Sequence, residues 1–479
     1  MWGWLPLWAA ILSMSAFNAH GAAQPEGKGP VPETRETNAL PPLNVILVIV
    51  DALRGDRIEA KRNGVSVMPR LRERARQWWY FTNAVAQETW TKPSVASIFT
   101  SLYPDTHGVQ YFASSGHQAD VLPVDLPTLA SILHASGYHT KAIQTSPTLQ
   151  KAFGFDRGFD EYLYCEEATA DVVTGDAIAS LRTLAQPYFL YIHYFDPHGP
   201  YLAPPPRDTT FGNLPPISVE EKKLLDSNEY YMDHAFHATG IRKDRKYGAL
   251  SETAREYVRY CYDIECRFVD DQFAEFAGAL GSNLDNTFLL FTADHGEELW
   301  DHGGLGHSKT VFEEVVHVPL LIHFPNQTSG RMVPLPVQSV DILPTIAARI
   351  GIEPNPAWQG VDIAKLPLDA PAVPRPQFSW ARGTIYGGPI NFACVRMGKY
   401  KLIADRYADR TEAYNLEVNP HEQQNLANES SAEITPLKAL LLEREEEDRA
   451  ARAKTKPVEK TTLDPKTREA LQSLGYLPR

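Results

Sequence analysis

Unbroken apolar runs at residues 45–50, 188–194, 288–291 and 319–324 constrain the fold of this chain more than any other feature. A strand with one wet face alternates apolar and polar residues, whereas a strand covered on both faces has no need to. Longer stretches of helical pattern separate the runs. The expected class is therefore α/β, a central, largely parallel sheet with helices on both faces. With 479 residues, 43% of them apolar, the chain can fill one large core and a smaller unit beside it.

Residues 1–23 read as a signal peptide. Their apolar run, 4–17, falls short of the roughly 20 residues that span a bilayer, and small residues at Ala19, Gly21, Ala22 and Ala23 follow it. The segment before the run lacks Lys and Arg, so an uncleaved N-terminal anchor is the alternative reading. Beyond it no stretch approaches a membrane span, and the expected location is periplasmic or secreted. Residues 24–42, rich in Pro, Glu, Gly and Thr, read as a linker into a main domain over 43–365. A Pro-rich connector, 366–377, leads to a C-terminal α+β subdomain over 378–430. Its segments 392–397 and 400–404 read as antiparallel strands about a turn at Gly398. Residues 431–479 form a helical tail, and the charges over 437–453 read as a solvated helix face.

The charge balance, 59 acidic against 46 basic residues for a net −13, and the lack of a long basic block exclude a nucleic-acid partner. Cys165, Cys261, Cys266 and Cys394 are too few to scaffold a domain of this size, and burial as small apolar residues is the expectation for Cys261 and Cys266. The trio Trp78, Trp79 and Tyr80 reads as core.

In an open α/β sheet, functional groups collect at the carboxyl ends of the strands. Asp51 closes the first run, Asp196 and His198 follow the second, and Asp294 and His295 follow the third. Three clusters at equivalent strand ends are possible ligands. Thr91 opens a helix-like segment with Pro93 in its first turn. A capping hydroxyl and a hydroxyl beside a bound anion are both consistent with that position.

Several motifs then occur in an order that resembles the sulfatase-like family of the alkaline phosphatase superfamily, over roughly residues 44–426. The stretch 44–56, Asn-Val-Ile-Leu-Val-Ile-Val-Asp-Ala-Leu-Arg-Gly-Asp, is similar to its opening strand. Thr91-x-Pro93-Ser94 with Thr100 resembles its nucleophile motif. Asp-Pro-His-Gly-Pro at 196–200, Asp294-His295-Gly296-Glu297 and Gly306-His307 complete the pattern. The resemblance implies an alkaline-phosphatase-like sandwich and one divalent metal ion, Mn, Zn or Ca, held by Asp51, Thr91, Asp294 and His295. It implies Thr91 as nucleophile, with His198 and His307 contacting the substrate or leaving group and serving catalysis.

Thr91 stands where the family carries the Cys or Ser that becomes formylglycine, Val95 replaces the motif Arg, Ser101 a Gly, and Ala52 a second Asp. The expected function is a metal-dependent hydrolase of phosphate, phosphodiester, phosphonate or sulfate esters, acting on a small-molecule, lipid or glycan ester. The alternatives are a membrane-anchored phospho-alcohol transferase and a catalytically silent carbohydrate-binding relative. A second metal site is not expected, because Asp196 and His198 lie only two residues apart, and Asp196 is read as orienting its loop.

Overall fold

The computed structural model describes residues 43–110, 118–226, 250–367, 374–383, 390–427, 432–474 and 477. The leader and linker over 1–42 lie outside the described residues.

The central sheet is built from β1 (Asn44–Val50), β2 (Trp79–Val85), β3 (His139–Gln144), β4 (Glu161–Tyr164), β5 (Tyr188–Tyr194), β6 (Thr287–Ala293), β7 (His317–His323), β8 (Arg331–Val333) and β9 (Val337–Gln338). Its order is β8-β2-β7-β6-β1-β5-β3-β4, with β9 also paired to β2. β1 lies between β5 and β6, parallel to both, and β3 continues the parallel run from β5 to β4. Among these strands β7 alone is reversed, antiparallel to β6 and β2. All seven residues of β1, of β5 and of β6 are buried, as their unbroken apolar pattern requires.

Register assigns the faces. Ile49 pairs with His193 and Thr292, and Leu47 with Tyr191, so Tyr191 and His193 share one face. On that face lies α2 (Thr91–Thr100), with Phe99 edge-on to Tyr191 at 5.1 Å between ring centroids. The opposite face carries Phe291 and Tyr194. Phe273 of α4 (Glu252–Ala279) packs on Phe291 at 4.6 Å, and Thr174 of α3 (Ala170–Leu181) bonds the Tyr194 hydroxyl at 2.8 Å. Burying an aromatic ring of this kind contributes about 1.5–3 kcal/mol. Ahead of α2, α1 (Pro69–Gln77) leads into β2, where Trp78 packs against Phe273 and His323 in the core. Cys261 and Cys266 are buried on α4.

A second sheet, β10 (Gln377–Gly383), β11 (Ile390–Met397), β12 (Tyr400–Asp405) and β13 (Arg410–Asn415), is wholly antiparallel. The two expected strands are its middle pair. β10 is tied to the segment after β2: Trp380 N donates to Gln87 O at 3.0 Å and Arg382 N to Glu88 Oε1 at 2.8 Å. The tail helix α5 (Ile434–Arg452) lays Leu437 and Leu441 on Phe378 and Trp380. Its charged run is not uniformly solvated: Asp448 is buried, pairing with Arg444 at 2.7 Å and accepting from Gln359 and Thr106.

Candidate active site

The carboxyl ends of β1 and β6 bring Asp51, Asp294 and His295 together, all buried, with one ligand atom of each within 4.8 Å of the others. His295 Nε2 lies 3.5 Å from Asp51 Oδ1 and 3.5 Å from Asp294 Oδ2. Its Nδ1 is 2.9 Å from the Gly296 carbonyl, which can only accept. Nδ1 therefore carries a proton toward that carbonyl, and Nε2 is the ring atom that faces the carboxylates. Asp294 Oδ2 and His295 Nε2 are buried with no hydrogen-bond partner in the protein. Burial pushes the Asp51 carboxyl well above its usual range, and repulsion from Asp294 and Glu297 pushes it further. Burial also raises Asp294, with His295 opposing it. Two desolvated acids and an imidazole Nε2 form a donor set that a divalent cation satisfies.

Thr91 is the first residue of α2 rather than its cap. Trp90 holds the capping position in an extended conformation and makes no side-chain cap bond. The Thr91 hydroxyl instead lies 3.3 Å from Asp51 Oδ2 and 3.4 Å from Oδ1. Ser94 Oγ donates to the Asp294 carbonyl at 2.6 Å, fixing the first turn of α2 to the end of β6. The residues that depart from the family pattern serve the scaffold. Val95 is core. Ser101 ends α2 in the left-handed region at φ 56°, with its hydroxyl on Val340 O at 2.8 Å. Ala52 is also left-handed, φ 58°, and its amide donates to Asp294 Oδ1 at 3.2 Å. Such strain persists only where neighbours fix the chain. Here the Tyr262 hydroxyl does so, donating to Ala52 O and accepting from Arg54 N.

His198 and His307 complete the group, their rings 5.0 Å apart and His307 4.4 Å from His295. His198 Nδ1 faces Gly199 O at 2.8 Å. His307 Nδ1 faces Glu297 Oε1 at 3.0 Å, and Tyr201 donates to Glu297 Oε2 at 2.8 Å. Burial lowers His198 to about 3 and carries His307 well below the usual histidine range. Asp196 does orient its loop, accepting from Ala170 N at the start of α3 at 2.8 Å. Glu298 and His302 stay out of the cluster, the first accepting from Gly304 N and the second paired with Glu314.

Sequence reasoning did not assign roles to Glu297, Tyr201 or Arg54. Glu297 sits three residues after Asp294 in a quoted motif, so its place was visible although its partner was not. Arg54 spans Asp56, Asp301 and the Glu297 carbonyl, holding the loop that carries Glu297.

The sheet defines an alkaline-phosphatase-like α/β protein, with a cluster able to hold a cation at its carboxyl edge. Residues 43–352 match the Sulfatase family, and the chain belongs to that family. Arylsulfatase K of Xenopus laevis is 24% identical over 448 residues, covering 81% of this chain and 80% of that protein. The phosphonate monoester hydrolase of Agrobacterium radiobacter superposes with a TM-score of 0.65 at 21% identity, over 88% of this chain and 100% of that one. A protein solved with its substrate D-glucosamine-2-N,6-O-disulfate superposes at 0.67 and 17% identity, over 85% of this chain and 98% of that one. Among the described residues no helix is long and apolar enough to cross a membrane.

Proposed function

We propose that this protein is an exported, metal-dependent hydrolase of phosphoric-type esters that uses Thr91 as its nucleophile. The observation that carries the reading is the Thr91 hydroxyl, which lies 3.3 Å from Asp51 where a cap would have turned it to the backbone. A divalent cation held by Asp51, Asp294, His295 and Thr91 would supply the charge that favours the Thr91 alkoxide. The donor set of oxygens and one imidazole suits Mn or Zn and admits Ca.

Thr91 Oγ1, its proton released to solvent water, attacks phosphorus in line and forms a phosphoryl-threonine ester as the bond to the leaving alcohol oxygen breaks. His307 is the proton donor to that oxygen, because Glu297 on its Nδ1 stabilises the imidazolium that an arriving anion induces. His198, whose Nδ1 faces the Gly199 carbonyl, orients a non-bridging oxygen. Water then attacks phosphorus and releases phosphate and the Thr91 hydroxyl. Thr91 has no second hydroxyl through which to expel the group by forming a carbonyl, so release requires attack at the central atom. That favours phosphoryl over sulfuryl turnover. Similarity to arylsulfatase K supports a second reading, in which sulfate esters are the substrates.

The test is hydrolysis of matched aryl phosphate, phosphodiester, phosphonate and sulfate esters after loading Mn, Zn or Ca. Thr91→Ala is expected to lose at least ~10³-fold in kcat, and Thr91→Ser to retain measurable turnover. An alanine variant as active as wild type would reject the assignment.

A further inference from the structure

Beside the cluster lies a polar pair that the mechanism does not use. Ile143 on β3 is in register with Ile192 on β5, so Gln144 and His193 stand next to each other one residue further on. Both are fully buried. Ala142 is in register with Tyr191, and Ile49 with His193 and Thr292, so alternation puts Gln144 and His193 on the face of Ile49 and Thr292. Asp51 and Asp294 continue that face at the carboxyl edge, and α2 with Thr91 covers it.

Both amide atoms of Gln144, and His193 Nε2, have no hydrogen-bond partner in the protein. Asp294 Oδ2 and His295 Nε2, on the cation-ready cluster, share that condition. Buried polar atoms left in this way cost about 1–3 kcal/mol each and mark a place where a ligand or water belongs. Burial above all lowers His193 to about 3.

Its tautomer follows from Thr145. The Thr145 hydroxyl lies 3.1 Å from His193 O and 3.1 Å from His193 Nδ1. A carbonyl only accepts, so the single hydroxyl proton goes there, and the hydroxyl accepts from Nδ1–H. Nε2 is left as a bare acceptor.

We infer that Gln144 and His193 form a specificity-determining pair that reads a proton on the transferred group. His193 Nε2 accepts from a P–O–H, and the Gln144 amide N–H donates to a neighbouring oxygen. The substrate class is then a phosphate monoester carrying one proton, whose second pKa lies near about 6. A sulfate ester has no such proton and meets the His193 lone pair with its own, and a phosphodiester fails in the same way. Sites built around a buried hydrogen-bonding group reject analogues that lack its partner. This deepens the proposed function and rests on that reading of the neighbouring cluster.

Hydrogen phosphate and sulfate test it directly, because they share size and charge but only phosphate carries a proton. Isothermal titration of each into the Mn-loaded full-length protein at pH 7 is expected to show phosphate binding at least about tenfold tighter. Gln144→Met and His193→Phe are expected to reduce that ratio by about tenfold, mainly by weakening phosphate. Thermal melting identifies which variants are folded, and Gln144→Met, close in volume, decides the matter if His193→Phe is not. Equal affinities in wild type, or an unchanged ratio in a folded variant, would overturn the inference. Such a result alongside Thr91-dependent turnover sinks this inference alone. Turnover that survives Thr91→Ala sinks the nucleophile assignment and leaves the binding ratio standing.

Discussion

His307 shows how one neighbour sets the role of a residue. Glu297 holds its Nδ1, and Tyr201 holds Glu297 from the other side. Glu297→Gln keeps the shape of this chain of contacts but removes the charge that stabilises the imidazolium. Steady-state kinetics are expected to show kcat reduced by about 10–100-fold with KM little changed. A variant with normal kcat and raised KM would reassign Glu297 to substrate binding. At this scale the sequence was legible where chemistry is tied to a strand end, as for Asp51, Asp294 and His295. It was less so where pairing is long-range. Glu297 meets Tyr201 across 96 positions of chain, and His193 is hidden inside a run that reads as apolar.

The elements were legible through burial, and their directions were not. Residues 319–324 look like the other apolar runs, yet β7 runs antiparallel to β6. A strand covered on both faces has the same composition whichever way it runs. The dock between the two sheets was also hidden, because Glu88 meets β10 through the Arg382 backbone. Burial pushes the Glu88 carboxyl from 4.5 to about 8. The native state thus holds a proton that the unfolded chain releases near 4.5. Glu88 therefore supports folding fully below that value, and its contribution is lost as pH rises through about 8. Glu88→Gln, which keeps the acceptor, is expected to flatten the fall in Tm between pH 5 and pH 8. An identical pH profile in the variant would contradict this.

At the scale of the whole molecule, the fold places two buried carboxylates together at the carboxyl edge of its sheet, where burial and then mutual repulsion disfavour their charged forms. Saturating cation at about 100 times its Kd is expected to add about 2.7 kcal/mol, read as a rise in Tm that a chelator reverses. Asp51→Asn is expected to melt at or above the metal-free wild type and to lose most of the shift on adding Mn. A full shift in that variant would place the cation elsewhere. The protein as a whole was legible because Asp51, Asp196 and Asp294, far apart in the chain, each follow the end of a strand. The parts that choose a substrate were not, because they depend on which side chains share a face.

The most direct test of the central claim is to trap the group on Thr91. The Mn-loaded enzyme would be mixed with an aryl phosphate, quenched in acid within one turnover and digested for mass spectrometry. A phosphoryl adduct on the peptide carrying Thr91, absent from Thr91→Ala, is the expected result. Product release with no adduct at Thr91, or an adduct on another residue, would contradict the account.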